Sequence, residues 1–151
     1  MSRVLITGSA DGLGLMAGQL LAADGHAVTL HARNDQRADD ARAALPAAEG
    51  VLVGDLSTLA GMRSVAQQAG GYDAVVHNAA VGYQEPRRIE TADGLAHVFA
   101  VNVLAPYVLT ALVPRPARLV YLSSGMHRGG NPALDDVQWT CLLYTSDAAD
   151  E

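Results

Sequence analysis

At 151 residues, half of them apolar and 17% charged, the chain is long enough for one domain with a sizeable core and too apolar for a disordered one. Its net charge of -6 excludes a nucleic-acid partner, because no basic patch can neutralise phosphates along a duplex, although Arg33 and Arg37 suit one small phosphate. The lone cysteine, Cys141, allows no internal disulfide, and the N-terminus carries neither a secretory signal nor a membrane span, so a cytoplasmic protein is expected.

Val4-Leu5-Ile6 reads as a strand that runs directly into Thr7-Gly8-Ser9-Ala10-Asp11-Gly12-Leu13-Gly14. From Leu13 to Asp24, the apolar residues Leu13, Met16, Ala17, Leu20 and Leu21 recur at helical spacing. Strand, glycine-rich turn and helix form the context of a dinucleotide-binding loop. Gly8 permits the sharp turn, Gly12 lets the backbone approach a pyrophosphate, and Gly14 allows close contact between helix and strand. The free amides at the helix start then face the phosphates. A glycine-rich turn before any helix has the same look, so the remaining chain must decide.

A second strand is expected over Ala27 to His31, a helix over Asn34 to Leu45 ended by Pro46, and a third strand over Val51 to Val53. Thr58 is a plausible N-cap for a helix that runs to Ala69 and stops at Gly70-Gly71. Ala74 to His77 is a fourth strand, Thr91 to Val113 a long helix, and Arg118 to Leu122 a fifth strand. Apolar strands alternating with helices predict an α/β fold, a Rossmann-like doubly wound parallel sheet covered on both faces. Each strand turns small or polar at its C-terminal end: Thr7-Gly8, His31, Gly54-Asp55, His77-Asn78 and Ser123-Ser124. Ligands of open parallel sheets bind outside that edge.

Arg33 follows the second strand, and Ala32 stands where an NAD-binding chain usually carries an acid for the ribose hydroxyls. Loss of the acid and gain of an Arg suit a 2'-phosphate, so NADP(H) is expected ahead of NAD. Asn102 falls on the apolar stripe of Leu95, Val98, Phe99, Ala105 and Leu109, where a buried amide needs partners.

The spacing Thr-Gly-x-x-x-Gly-x-Gly over Thr7 to Gly14 resembles the cofactor loop of the short-chain dehydrogenase/reductase family. The resemblance extends to Asp55-Leu56, to His77-Asn78-Ala79-Ala80 in place of the family's Asn-Asn-Ala-Gly, to Asn102, and to Tyr121-Leu122-Ser123-Ser124-Gly125. It implies that Thr7, Gly8, Gly12, Leu13 and Gly14 form the cofactor loop, that Asp55 and Leu56 contact the adenine, and that Asn78 and Ala79 run along the nicotinamide side. Ser124 would take the place of the catalytic serine and bond the substrate oxygen, and Asn102 would join a proton relay. Turn or capping residues at Asp55 and Asn78, a solvated Arg33, a loop-starting serine pair and a backbone-bonded Asn102 are the plainer alternatives. No metal site is expected.

The family's Tyr-x-x-x-Lys is missing. A tyrosine of pKa about 10 needs an adjacent cation to act near neutrality, and Lys four residues on lies on the same helical face. Here Tyr144 is followed by Ala148, and no lysine occurs in the chain. Through Thr140 the sequence resembles the retinol-dehydrogenase-like kind, whereas residues 141–151 resemble translated adapter sequence. The expectation is therefore an incomplete domain over residues 1–140, truncated after the fifth strand, with a foreign tail. Strand order 3-2-1-4-5 would leave the fifth strand as a bare, association-prone edge. The parent would be a homo-oligomeric NADP(H)-dependent enzyme interconverting a small-molecule alcohol and carbonyl. The alternatives are a non-catalytic dinucleotide-binding or redox-sensing module and, less favoured by Arg33, Asn78 and Ser124, a methyltransferase.

Overall fold

The computed structural model describes residues 1–82, 87–125, 135–138 and 140. Five parallel strands, β1 (Arg3–Ile6), β2 (Ala27–Ala32), β3 (Gly50–Val53), β4 (Ala74–His77) and β5 (Arg118–Tyr121), lie in the order β3-β2-β1-β4-β5. Helices α1 (Gly12–Ala23), α2 (Asp35–Ala44) and α3 (Leu59–Gln68) follow the first three strands. The connection from β4 to β5 carries α4 (His97–Phe99), a π-helical turn (Ala100–Leu104) and α5 (Ala105–Leu112). Residues 126–130 and 141–151, with Tyr144 among them, lie outside the described residues.

Alternation along each strand sorts side chains to two cores. Val4 and Ile6 join Val28, Leu30, Ala41 and Leu45 beneath α1 and α2. Leu5, Leu52 and Val75 face the other way, onto Met62, Val65 and Ala66 of α3 and Leu109 of α5. With helices on both sides, neither face of β1 can be polar, and Leu5 and Ile6 are fully buried.

The strands and α2 and α3 agree with the sequence reading to within one residue, and Asn34 and Thr58 cap those two helices with their side chains. The α1 helix also spans the expected residues, whereas the helix from Thr91 does not. On α1 the large apolar residues Leu13, Met16 and Leu20 are 73%, 57% and 68% exposed, while Gly14 and Gly18 are buried. A Cβ at Gly18 would stand 3.0 Å from Leu30 Cδ2, so the helix lies too near the sheet for a large residue on that stripe. The expected helix from Thr91 begins instead at His97. Gly94, at φ 75, interrupts the chain, and residues 91–96 form a turn closed by a Glu90–Ala96 bridge.

The π turn precedes Pro106, which has no N–H for the Asn102 carbonyl and whose ring would crowd it in a regular helix. The extra residue shifts the buried stripe to Ala100, Val101, Ala105 and Leu109, leaving Asn102 half-buried at its side. Among the described strands, β5 is the edge beyond β4, with Leu119 and Tyr121 38% and 53% exposed.

Close backbone contact also fixes α3. A Cβ on Gly61 would fall 2.0 Å from the Asp55 carbonyl oxygen, so Gly61→Ala must displace main chain and should cost about 1 to 3 kcal/mol in urea denaturation. Gly71→Ala, where a Cβ meets nothing within 4 Å, should change stability by less than about 1 kcal/mol.

Candidate functional site

The C-terminal ends of β1, β2, β3 and β4 converge on a cavity of about 510 Å³. From β1 it is lined by Gly8, Asp11, Gly12, Leu13 and Gly14, and from β2 by His31, Ala32 and Arg33, with Arg37 from α2. Asp55, Leu56 and Ser57 follow β3, and Asn78, Ala79, Ala80 and Val81 follow β4. His97 and Val101 complete the described wall.

The glycine turn is held by side chains from both flanking strands. Gly8, at φ 61, donates its N–H to His31 Nδ1 (2.9 Å), and its carbonyl accepts from Asn78 Nδ2 (2.9 Å). A Cβ here would lie 2.7 Å from Ala79 Cα, so only glycine fits both the conformation and the contact. Thr7 is buried beneath the turn. Its Oγ1 accepts from the N–H groups of Asn78 (3.0 Å) and Ala79 (3.1 Å), joining the exits of β1 and β4.

Gly12, at φ 52, has nothing within 4 Å of the place a Cβ would take and borders open space. A Cβ on Gly14 would meet Asn78 Nδ2 at 2.5 Å, so this glycine seats α1 against the β4 exit. Asp11 occupies the N-cap position of α1, but its side chain makes no capping bond. Its carboxylate instead pairs with Arg37, whose guanidinium also approaches Asp40 at 3.8 Å. The first turn of α1 thus presents its amides toward the cavity with no capping side chain, an arrangement that favours an anion.

His31 bridges two strand exits. Its Nε2 meets the Gly54 carbonyl at 2.9 Å while Nδ1 accepts from Gly8, which requires the neutral ring with its proton on Nε2. Burial holds its pKa below 6.5, opposed in part by the Gly54 bond and the charge of Asp55. The sequence marked His31 only as a polar strand end. Its donor and acceptor partners come from segments remote in sequence, so no local pattern could reveal the bridge.

Asp55 makes turn bonds, Oδ1 accepting from Ser57 N–H at 2.9 Å, and also lines the cavity; Leu56 beside it is buried. Asn102 lies behind the wall and grips one residue, accepting from Val81 N–H (2.8 Å) and donating to Val81 O (2.8 Å). Ser124 is exposed, three residues past β5, and is not among the described residues lining the cavity. His77, a departure from the family pattern, is buried and stacks on Tyr121 at 4.8 Å, with Thr110 Oγ1 bonded to both His77 Nε2 (3.2 Å) and the Tyr121 hydroxyl (2.7 Å). Burial lowers its pKa, and its Nδ1 has no partner among the described residues.

The short chain dehydrogenase family profile matches residues 2–126. The chain is 49% identical over 142 residues to the uncharacterized oxidoreductase AN7799 of Emericella nidulans, covering 91% of this chain and 56% of that protein. A crystal structure of an uncharacterized protein from Mycobacterium paratuberculosis superposes with a TM-score of 0.79 at 29% identity, over 97% of this chain and 57% of the other. A short-chain dehydrogenase from Sphingobium yanoikuyae in complex with NADPH gives 0.58 at 26% identity, over 75% and 47%. The chain spans about half the length of the curated relatives it matches.

Two outcomes follow from these contacts. Asn102→Leu leaves both polar groups of Val81 without their side-chain partner and should lower stability by about 1 to 3 kcal/mol in chemical denaturation. Stability should also fall as pH drops below 6.5, because His31 and His77 take up protons there in the unfolded chain and resist them when folded. Urea midpoints measured across that range check the sign, and His77→Phe should flatten the slope.

Proposed function

Because the chain belongs to the short chain dehydrogenase family, we propose that it carries the coenzyme site of an NADP(H)-dependent oxidoreductase that interconverts an alcohol and a carbonyl by hydride transfer. The observation that carries the cofactor assignment is Arg33. It lines the cavity beside Ala32, with no acid at that position, and makes no ion pair among the described residues. A guanidinium so placed suits a 2'-phosphate, and the NADPH bound by the Sphingobium yanoikuyae protein supports the reading.

The residues fit such a cofactor. Gly12 and Leu13 at the start of α1, with Gly8 and Gly14 shaping the turn, would take the pyrophosphate, and Thr7 would hold the turn in register. Asp55 and Leu56 would meet the adenine, and Asn78 and Ala79 the nicotinamide side. When bound, the nicotinamide supplies the hydride donor or acceptor. Ser124 would orient the substrate oxygen from the same sheet edge. Both polar atoms of Asn102 are committed to Val81, which supports a part in positioning the β4 loop ahead of one in a proton relay.

The chain contains no lysine, so the proposal gives it nucleotide binding and substrate orientation without the family's Tyr/Lys pair. A second reading is a non-catalytic dinucleotide-binding or redox-sensing module, which the same cavity and glycine turn would serve. The first reading adds a small alcohol or carbonyl substrate, a cytoplasmic setting and a homo-oligomeric parent. Among the described residues no helix is long and apolar enough to cross a membrane.

Fluorescence titration of the chain should show NADPH binding more tightly than NADH. Arg33→Ala should weaken NADPH by about tenfold or more while leaving NADH within about twofold, and Asp11→Asn, which releases Arg37, should tighten NADPH a few-fold. Equal affinity for the two nucleotides would refute the 2'-phosphate assignment, and binding of S-adenosylmethionine alone would refute the dinucleotide. Alcohol-dependent reduction of NADP+ by the chain would refute the absence of an acid–base group.

A further inference from the structure

We propose that His31 is a positioning residue of the nucleotide site: its neutral imidazole, accepting from Gly8 and donating to Gly54, holds the glycine turn in its receiving conformation, and protonation releases that hold and weakens nucleotide binding. The proposal rests on the dinucleotide reading of the cavity.

Three features of the structure carry it. First, the Thr7–Gly8 peptide is gripped at both ends by side chains: its N–H, that of Gly8, goes to His31 and its carbonyl, that of Thr7, accepts from Asn78 Nδ2 (3.0 Å). The plane of that peptide is therefore set by two side chains, one from β2 and one from the β4 exit. Second, His31 itself has no slack. Its main-chain N–H donates to Ser9 Oγ (2.9 Å), which donates onward to the Ile6 carbonyl (2.7 Å), so both backbone and ring of this residue are tied to the β1 exit. Third, the ring is a wall of the cavity and 3% exposed, so it cannot swing into solvent to shed a clash.

A proton on Nδ1 turns the only ring acceptor into a donor facing the Gly8 N–H. The hydrogen bond is lost and two N–H groups oppose one another, while the Nε2–Gly54 bond survives. The ring would then push on Gly8 alone, at the residue that begins the turn.

The charged and titratable groups around the ring come from each neighbouring element. Asp11 stands on the β1 exit, Arg33 and Arg37 on the β2–α2 side, Asp55 on the β3 exit and His97 across the cavity. Asp11 and Arg37 neutralise each other as a pair, and Asp55 favours the cationic ring. The 2'-phosphate of the ligand titrates in the same range and His97 faces the same cavity, so the test must cancel both.

His31→Asn does so. An Asn oxygen reaches the place of Nδ1 and accepts from Gly8 without titrating, and all other groups are unchanged. NADPH dissociation constants of the 151-residue chain, measured by fluorescence at about pH 7.5 and about pH 5.5, should rise about fivefold more on acidification for the wild type than for His31→Asn. Equal ratios for the two proteins would overturn the role of His31. Absence of NADPH binding at both pH values would overturn the reading of the cavity itself, a distinct failure. A second measurement needs neither ligand nor variant. In nitrogen–proton spectra of the wild type, the His31 ring should be the Nε2–H tautomer at neutral pH, and the Gly8 amide resonance should move with the same midpoint as the ring. An Nδ1–H tautomer, or a Gly8 amide indifferent to ring protonation, would overturn the proposal even if His31→Asn fails to fold.

Discussion

One hydroxyl joins the two strand exits on which the site stands. Thr7 Oγ1 accepts from the amides of Asn78 and Ala79, residues more than seventy positions away, and Asn78 returns two bonds to the Thr7 and Gly8 carbonyls. Parallel neighbours cannot be aligned by a tight hairpin, because a crossover of at least a dozen residues separates them. Here β1 and β4 are held in register past their last ladder bonds by side chains. The glycine turn inherits its position from that junction, and α1 inherits its from the turn.

The small residues follow from the same constraint. Gly8 lies against Ala79, Gly14 against Asn78, and Gly18 against Leu30, so one side of α1 and its approach is stripped of side chains to let the helix settle close to the sheet. Burial of large apolar groups happens elsewhere, on the strands and on α3 and α5. Polar groups that enter this packed region are paired: Ser9 with Ile6 and His31, His31 with Gly8 and Gly54. Near β5 the pairing loosens, with the half-open stack of His77 on Tyr121 and a ring nitrogen lacking a partner among the described residues.

The sequence made the strands legible because each is a short apolar run between turn signals, and it made the α2 and α3 starts legible because Asn34 and Thr58 cap in the local manner. It showed α1 as a helix without showing which face is buried, since periodicity counts hydrophobicity and cannot see that closeness to the sheet demands glycine there. The helix from Thr91 failed for two local reasons, Gly94 in a left-handed turn and Pro106 shifting the ladder. Of the expected site residues, those on the first four strand exits converge. Ser124 shares the edge without lining the cavity, and Asn102 bonds to the wall from behind. The His31 bridge and the Asp11–Arg37 pair needed three dimensions, because their partners are 23 to 26 positions apart along the chain.

The cavity draws its walls from the C-terminal ends of four neighbouring strands, β3, β2, β1 and β4. Anything seated there touches segments whose sequence separation exceeds ninety residues, from Gly8 to Val101. Occupancy is then coupled to folding as well as to recognition: a molecule present at about one hundred times its dissociation constant, bound only by the folded chain, deepens the native well by about 2.7 kcal/mol. For a sheet whose described strands end at β5, the guest acts as a keystone as much as a reactant.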